Sequence, residues 1–364
     1  MSPTWRWSVV LCLALLVTVP LQDQTLQLHF MDVGQGDGAV LIAPGGQVVL
    51  FDDGLLNNCD KPVGYLRALG IDHIDYHIAS HYHSDHIGCA GEILGRFPLT
   101  TAAIDRGGSY PSSTYALYAD TVKDKRRTGQ AGQRIVLGAG STKPVTIEIV
   151  ALDGNGLSTS NENDLSLVAV VHYGKFDAVM GGDLSGFKAQ DYLDIESSVA
   201  PKVGQVEVYK VNHHCSAYST NDTWLETIKP RVGIISVGRK NRYGHPAPDC
   251  LERLHDKGVV TYWTESGAGA EPEPDRDFVA GNIVVTTDGE ATFTVTSDDA
   301  DPRTYSLWGA TDGTTTTGFQ YAWSVASDIY HYAQCLYVSS ISPANLQQGA
   351  QPPAGKHMHS GCPK

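Results

Sequence analysis

The run His81-Tyr82-His83-Ser84-Asp85-His86 constrains this chain more than any other segment. It follows DYHIAS, which reads as a short buried strand, and precedes HIGCAGEILGRF, which reads as a helix. Four potential ligands within six residues, on a strand-to-helix loop, can face two ways and hold two cations. His81 and His83 alternate to one side; Asp85 and His86 turn to the other. Imidazole and carboxylate donors suit Zn2+ or Mn2+ and do not separate the two. Two more segments end strands with ligand residues: Gly181-Gly182-Asp183 closes DAVM, and His213-His214 closes VEVYKVN. A carboxylate at Asp183 can bridge two cations, and either His213 or His214 can complete the second site.

The surrounding pattern is that of a layered α/β domain. LQLHFMDVG, GAVLIAP and QVVLFDDG read as three successive strands, each ended by Gly or Pro. VGYLRAL has helical spacing, with Asp60 as N-cap, Pro62 in the first turn and Gly70 at the end. TIEIVAL, LSLVAVVHYG, DAVMGGD, VEVYKVN, VGIISVG and VVTYWT read as later strands, with helices near Thr223 to Ile228 and Asp249 to Lys257. NIVVTTDGEATFTV reads as a hairpin turning on Asp288-Gly289. The domain so defined covers residues 25–297. DDADP, GATDG and TTTTG mark 298–327 as a linker, and 328–364 reads as a small Cys/His module.

With 364 residues, 41% of them hydrophobic, the chain can bury a sizeable core. Its 26 Lys+Arg against 40 Asp+Glu leave a net charge of -14, which excludes a broad basic groove for nucleic acid. A small metal-centred phosphate site remains compatible, because bound cations bring their own charge. In residues 1–22, Arg6 precedes an apolar run from Trp7 to Val19, short for a membrane span and suited to a signal peptide or N-terminal anchor. The expected location is therefore secreted or extracytoplasmic. Cys12 lies inside that run; the six other cysteines are even in number, which permits disulfides in an exported chain, buried free thiols being the alternative.

The motifs MDVGQGDGAVLI, LFDDG, YLRALGIDHIDYHIASHYHSDHIGC, NENDLSLVAVVHYGKFDAVMGGDL, YKVNHHCSAYS and VGRKNRYGHPAPDCLERL follow one another in order. HYHSDH resembles the signature of the metallo-β-lactamase fold. The whole series, from Leu26 to Val295, is similar to the extracytoplasmic hydrolase domain of ComEC/Rec-type DNA-uptake competence proteins and their free-standing secreted relatives. That resemblance implies an αββα sandwich and metal ligands at His81, His83, Asp85, His86, Asp183 and His213. It implies a buried Asp52 that orients the ligand loop. In place of the third-motif histidine of β-lactamases stands Asn161-Glu162-Asn163-Asp164, which leaves a coordination position open for substrate or water. Where relatives read HHGS, this chain reads His214-Cys215-Ser216.

The expected chemistry is hydrolysis of a phosphodiester, single-stranded or short DNA among the candidates, by a metal-bridging hydroxide between two divalent ions. Asp85, His214 and His245 are the catalytic candidates, the two histidines to contact substrate or protonate the leaving oxygen. Asn163, Lys210, Ser216 and Asp37 are the substrate-binding candidates. No integral membrane channel is expected. Hydrolysis of another ester, a lactone or a β-lactam is the alternative within the fold, and a non-catalytic binding protein with a vestigial hydrolase domain is the alternative outside it. In the tail, YHYAQCLYVSSISPANL faintly resembles the zinc-binding module of Ada DNA-repair proteins. His331, Cys335, His357, His359 and Cys362 could there hold a structural Zn2+, or Cys335 and Cys362 could form a disulfide.

Overall fold

The structure is a computed structural model that describes residues 25–309, 321–332, 338, 341, 345–349 and 353–359. The expected leader with Cys12, residues 310–320 of the expected linker, and Cys335 and Cys362 lie outside the described residues.

The first half of the domain runs β1 (Leu26–Phe30), β2 (Gly38–Ile42), β3 (Val48–Asp53), α1 (Asp60–Ala68), β4 (Ile74–Ile78), α2 (Ser84–Ile87), α3 (Ala90–Arg96), β5 (Leu99–Asp105), α4 (Ser113–Val122) and β6 (Arg126–Thr128). The second half continues through β7 (Gln133–Leu137), β8 (Val145–Ala151), β9 (Val168–Tyr173), β10 (Phe176–Met180), β11 (Gly186–Ala189), β12 (Tyr192–Asp194) and α5 (Glu196–Val203). It ends with β13 (Val208–Lys210), α6 (Asp222–Ile228), β14 (Val232–Ile235), α7 (Pro248–Asp256), β15 (Val260–Trp263) and β16 (Asp277–Val279). Three last strands, β17 (Ile283–Thr287), β18 (Thr292–Ser297) and β19 (Arg303–Ser306), return to the first sheet beside β1.

Two sheets result, ordered β19-β18-β17-β1-β2-β3-β4-β5-β6 and β16-β15-β14-β13-β10-β9-β8-β7. Each is antiparallel on one side and parallel on the other: β3-β4-β5-β6 are parallel, as are β10-β13-β14-β15-β16. Alternation along each strand explains the layering. Val49 and Phe51 of β3, and Ile147, Ile149, Ala169 and Val171 of β8 and β9, fill the space between the sheets. Val48 and Leu50 point outward onto Leu66, Ile93 and Phe97 of the α1 and α3 region. Val168 and Val170 point outward onto the layer of α5, α6 and α7, with Val199, Trp224 and Leu254. A sheet covered on both faces needs near-continuous apolar strands, which is how β3, β9 and β10 read.

Three local readings differ from the sequence expectations. The helix expected over HIGCAGEILGRF is two pieces, α2 and α3, divided at Gly88-Cys89. Asp53 Oδ1 accepts the Cys89 amide (2.6 Å) and Cys89 is cross-linked to Cys59, so the chain is re-aimed there. The β17–β18 hairpin has Thr287 opposite Phe293, centring its turn on Glu290 rather than on Asp288-Gly289. Gly289 instead packs on Tyr173, and its carbonyl accepts the Lys175 amide. The sheet also continues past residue 297, where the linker was expected. β19 pairs with β18, Leu307 is buried, and the Arg231 guanidinium lies 3.7 Å from the centre of the Trp308 ring. Separately, β20 (Tyr321–Ser324), β21 (Ile329–Tyr332), β22 (Leu346–Gly349) and β23 (His357–Met358) form a small sheet. In it the rings of His331 and His359 stack 5.0 Å apart, and His357 is exposed.

The four cysteines of the main domain, for which free thiols were an alternative, form Cys59–Cys89 and Cys215–Cys250. Each closes a loop of 30 or 35 residues, worth about 3–4 kcal/mol through restriction of the unfolded chain. Among the described residues no helix is long and apolar enough to cross a membrane.

Candidate metal centre

Apart from Asp37, which stands just ahead of β2 and also lies within reach of Asp183 and His214, the candidate ligands leave the sheets at the carboxyl ends of parallel strands. Asp52 ends β3, Ser80 to His86 follow β4, Asp183 follows β10, and His213 and His214 follow β13. Two neighbouring parallel strands whose connections diverge leave a crevice at that end, where side chains from several strands converge.

Asp52 fixes the loop from beneath. Its Oδ1 accepts the Ser80 amide (2.7 Å), and its Oδ2 accepts the Ser80 hydroxyl (2.7 Å) and faces His86 Nδ1 at 2.8 Å. That leaves His86 Nε2 pointing at Asp183 Oδ1, 3.3 Å away. His214 is oriented in the same manner, Nδ1 lying 2.8 Å from the Ser236 carbonyl and Nε2 lying 3.4 Å from Asp183 Oδ1 and 3.5 Å from Asp85 Oδ2. On the other side of Asp183, Oδ2 lies 3.9 Å from His81 Nε2, which is 3.0 Å from His83 Nδ1. The result is two ligand sets, His81, His83 and Asp183 on one side and Asp85, His86 and His214 on the other, with one oxygen of Asp183 toward each.

The donor atoms fit cations. His86 Nε2, His214 Nε2 and Asp183 Oδ1 are buried, face one another and have no hydrogen-bond partner. Orphaned buried polar atoms are costly, and three converging on one point define a place for a ligand. Their charges point the same way. Burial would lower His86 and His214, but Asp183, with Asp52 and Asp37, holds both rings well above the usual histidine range. Burial would raise Asp183, but those rings hold it well below the usual carboxylate range. Protons there do what cations would do, and cation binding displaces them.

Close approach of the loops needs glycine at two positions. A Cβ on Gly36, whose φ is 134°, would lie 2.3 Å from the Asp85 carbonyl, and one on Gly182, at φ 55°, would lie 2.5 Å from Ser80 Oγ. His213, His214 and Cys215 all adopt φ between 52° and 61°. Glycine adopts this left-handed backbone most easily; here Cys215 adopts it and is tied to Cys250 of α7.

Several residues stand elsewhere than the sequence suggested. His214, expected to act on substrate, belongs with Asp85 and His86; His213, expected as the ligand, lies 3.9 Å from Asp183 Oδ2 with Nε2 3.1 Å from Asn163 Nδ2. Lys210 does not face substrate: it is buried, ion-paired with Asp37, and donates to the carbonyls of Gly182 and Val211. Asp37 is equally buried, its Oδ1 3.3 Å from His214 Nδ1. The Ser216 hydroxyl is buried and accepts the Tyr218 amide within its own turn. His245 packs 5.6 Å from the His213 ring and 6.1 Å from that of His214. Burial and those rings push it to about 3, so it is neutral near pH 7 and unsuited to give up a proton.

Other contributors went unread in the sequence. Glu162 accepts the Tyr82 amide (2.8 Å) and a two-pronged contact from Arg106 (2.9 and 2.6 Å), locking the Asn163 segment to the ligand loop. Glu196 Oε1 accepts Asn212 Nδ2 and the Thr220 amide, and Oε2 accepts the Asn221 amide, shaping the turn that carries His213 and His214. A polar residue on a helix's buried face was the only available signal. Burial pushes the Glu196 carboxyl up to about 7 despite these bonds. A raised folded-state value means that its contribution is present below pH 4.5 and lost as pH rises through 7. In the chelated protein we expect Glu196 to remove about 3 kcal/mol of stability between pH 4.5 and 8. Urea unfolding of wild type and Glu196→Gln at both pH values checks this; parallel pH dependences would contradict it. Likewise, Asp52→Asn is expected to weaken cation binding at the His86 side by about 10–100-fold, measured by calorimetric metal titration.

The fold and these ligand sets define the chain as a metal-dependent hydrolase. The model of the metallo-beta-lactamase superfamily matches residues 33–239, more than half of the chain, and the protein belongs to that superfamily. Among curated relatives, it is 26% identical over 269 residues to ComE operon protein 3 of Bacillus subtilis, covering 69% of this chain and 33% of that protein. It is 28% identical over 252 residues to Recombination protein 2 of Haemophilus influenzae, covering 68% and 29%. The chain thus spans about a third of the length of these relatives. Among solved structures, the metallo-beta-lactamase fold protein YhfI of Bacillus subtilis matches with a TM-score of 0.42 at 15% identity, covering 68% of this chain and 98% of that one. The fold implies divalent metal ions, with the His/Asp sets as their candidate sites.

Proposed function

We propose that this protein is an exported phosphodiesterase, a nuclease in the first instance, holding two divalent cations, Zn2+ or Mn2+. The observation that carries the reading is Asp183, whose two oxygens face two ligand sets. Divalent cations, when bound at such sets, neutralise charge on phosphoryl oxygens and supply activated water. Around them the chain's own groups orient and shield. Asp52 and the Ser236 carbonyl aim the ligating nitrogens of His86 and His214. His213, pushed down to about 4 by burial, and His245 are neutral rings on the edge of the centre, each with a buried, unpartnered Nδ1, and a neutral ring can donate an N–H to an oxygen of a bound diester. Asn163, its Oδ1 unpartnered, supplies an amide beside His213.

A diester is favoured over other electrophiles by the relatives, one of which is named a recombination protein. Export is supported by the two disulfides, since such cross-links persist in oxidising compartments. The test is turnover by the Mn2+- or Zn2+-loaded protein of bis-(p-nitrophenyl) phosphate, single-stranded DNA and nitrocefin. Cleavage of the diesters is expected; cleavage of nitrocefin alone would overturn the reading.

A further inference from the structure

Tyrosines stand beside the histidines of the centre on several separate elements. The Tyr110 ring, ahead of α4, meets His83 edge-on at 5.6 Å. Tyr192, in β12, lies 5.7 Å from His213 and stacks on Tyr218 at 5.0 Å with 21° between the rings. Tyr243 lies 5.6 Å from His245 and is 55% exposed. The Arg242 guanidinium sits 5.1 Å from the Tyr243 ring centre. Tyr110, Tyr192 and Tyr218 are all partly open to solvent. These rings present flat apolar faces to solvent beside the histidines.

Charge adds a second observation. In a chain of net charge -14, Arg239, Lys240 and Arg242 are exposed within four residues, on the loop that delivers Tyr243 and His245. Among the described residues none of the three side-chain cations lies within 4.0 Å of a carboxylate oxygen, although Arg239 feels the charge of Glu265 and Arg242 that of Asp85. Cations that track a backbone, next to rings on which bases can stack, are the parts of a single-strand binding surface. A duplex hides its base faces in its own stack and cannot use them.

Building on the diesterase reading, the geometry points to Tyr192, Tyr218 and Tyr243, with Tyr110 and Arg242, as stacking platforms for the nucleobases flanking the scissile phosphate. They make the site selective for single-stranded nucleic acid. The test compares an oligothymidylate, an abasic strand of equal length and a blunt duplex. Binding to the full chain is followed by fluorescence anisotropy in chelator, and cleavage is followed with Mn2+. Wild type is expected to bind oligothymidylate at least about tenfold more tightly than the abasic strand or the duplex. Tyr192→Leu and Tyr243→Leu should each lower the oligothymidylate-to-abasic ratio about tenfold, while the Phe variants keep it. A falling ratio without cleavage of any strand supports the platforms and overturns the diesterase reading. An unchanged ratio with cleavage overturns the platforms and leaves the diesterase reading standing.

Discussion

Asp183→Asn is expected to leave the protein folded but to reduce bound metal to a single cation at most, with a loss of diester turnover on the order of a thousandfold. The asparagine keeps one oxygen and replaces the other with an amide nitrogen that cannot ligate. Because Asp183 Oδ1 faces His86 and His214 and Oδ2 faces His81 and His213, either rotamer abandons one side. Losing a single preorganised charge-stabilising group costs about 10²–10³ in rate, and here a whole cation position goes with it. Metal content by mass spectrometry and turnover of bis-(p-nitrophenyl) phosphate check the two halves separately. Full metal content with full turnover would mean that Asp183 is a structural carboxylate only. Full metal content with turnover gone would mean that it acts on substrate and not on cations.

Lys210→Met should cost about 3–5 kcal/mol of stability in the chelated protein, because it removes the ion-pair partner of the buried Asp37. The methionine fills the space of the side chain but leaves the buried Asp37 without its cation. Burial alone would raise Asp37, and the Lys210 ammonium, aided by His214 and His86, holds it below its usual value instead. Removing the lysine leaves that buried carboxylate with the His214 and His86 rings alone, and the carbonyls of Gly182 and Val211 lose a donor as well. The double variant Lys210→Met/Asp37→Leu is expected to recover at least half of the loss, since two apolar groups replace two charges. Urea denaturation of the chelated proteins measures both. A single variant within about 1 kcal/mol of wild type would show the pair to be well solvated after all.

The Lys210 pair also shows where sequence reading ran out. A lysine on a strand directly before two histidines invites the role of phosphate ligand, and an aspartate in a Gly-rich turn beside the site invites that of a substrate-binding group. Nothing in the spacing of residues 37 and 210 says that their strands' ends meet, because β2 and β13 belong to different sheets. The choice between His213 and His214 was hidden for a related reason. Adjacent histidines carry no periodicity to separate them, and three consecutive left-handed residues decide which ring turns toward Asp85 and His86. The helices α4 and α5 were unread as well. α4 rests on a Ser112 cap and buries only Tyr118 and Val122, while α5 buries Val199, Ala200 and Val203 beside Glu196 but carries Pro201, which reads as a break.

The sequence by itself determined the candidate ligand types, their order along the chain and their placement at strand ends. Alternation and loop punctuation are local properties, and HYHSDH, GGD and HH fall directly after apolar runs. It also determined the layered α/β architecture, since strands apolar on both faces need cover on both faces. The tertiary structure alone decided which candidate ligands come together, which carboxylates lie behind them and how the cysteines pair. Those outcomes depend on distances between the ends of strands far apart in sequence, and such distances exist only once two sheets have closed on one core.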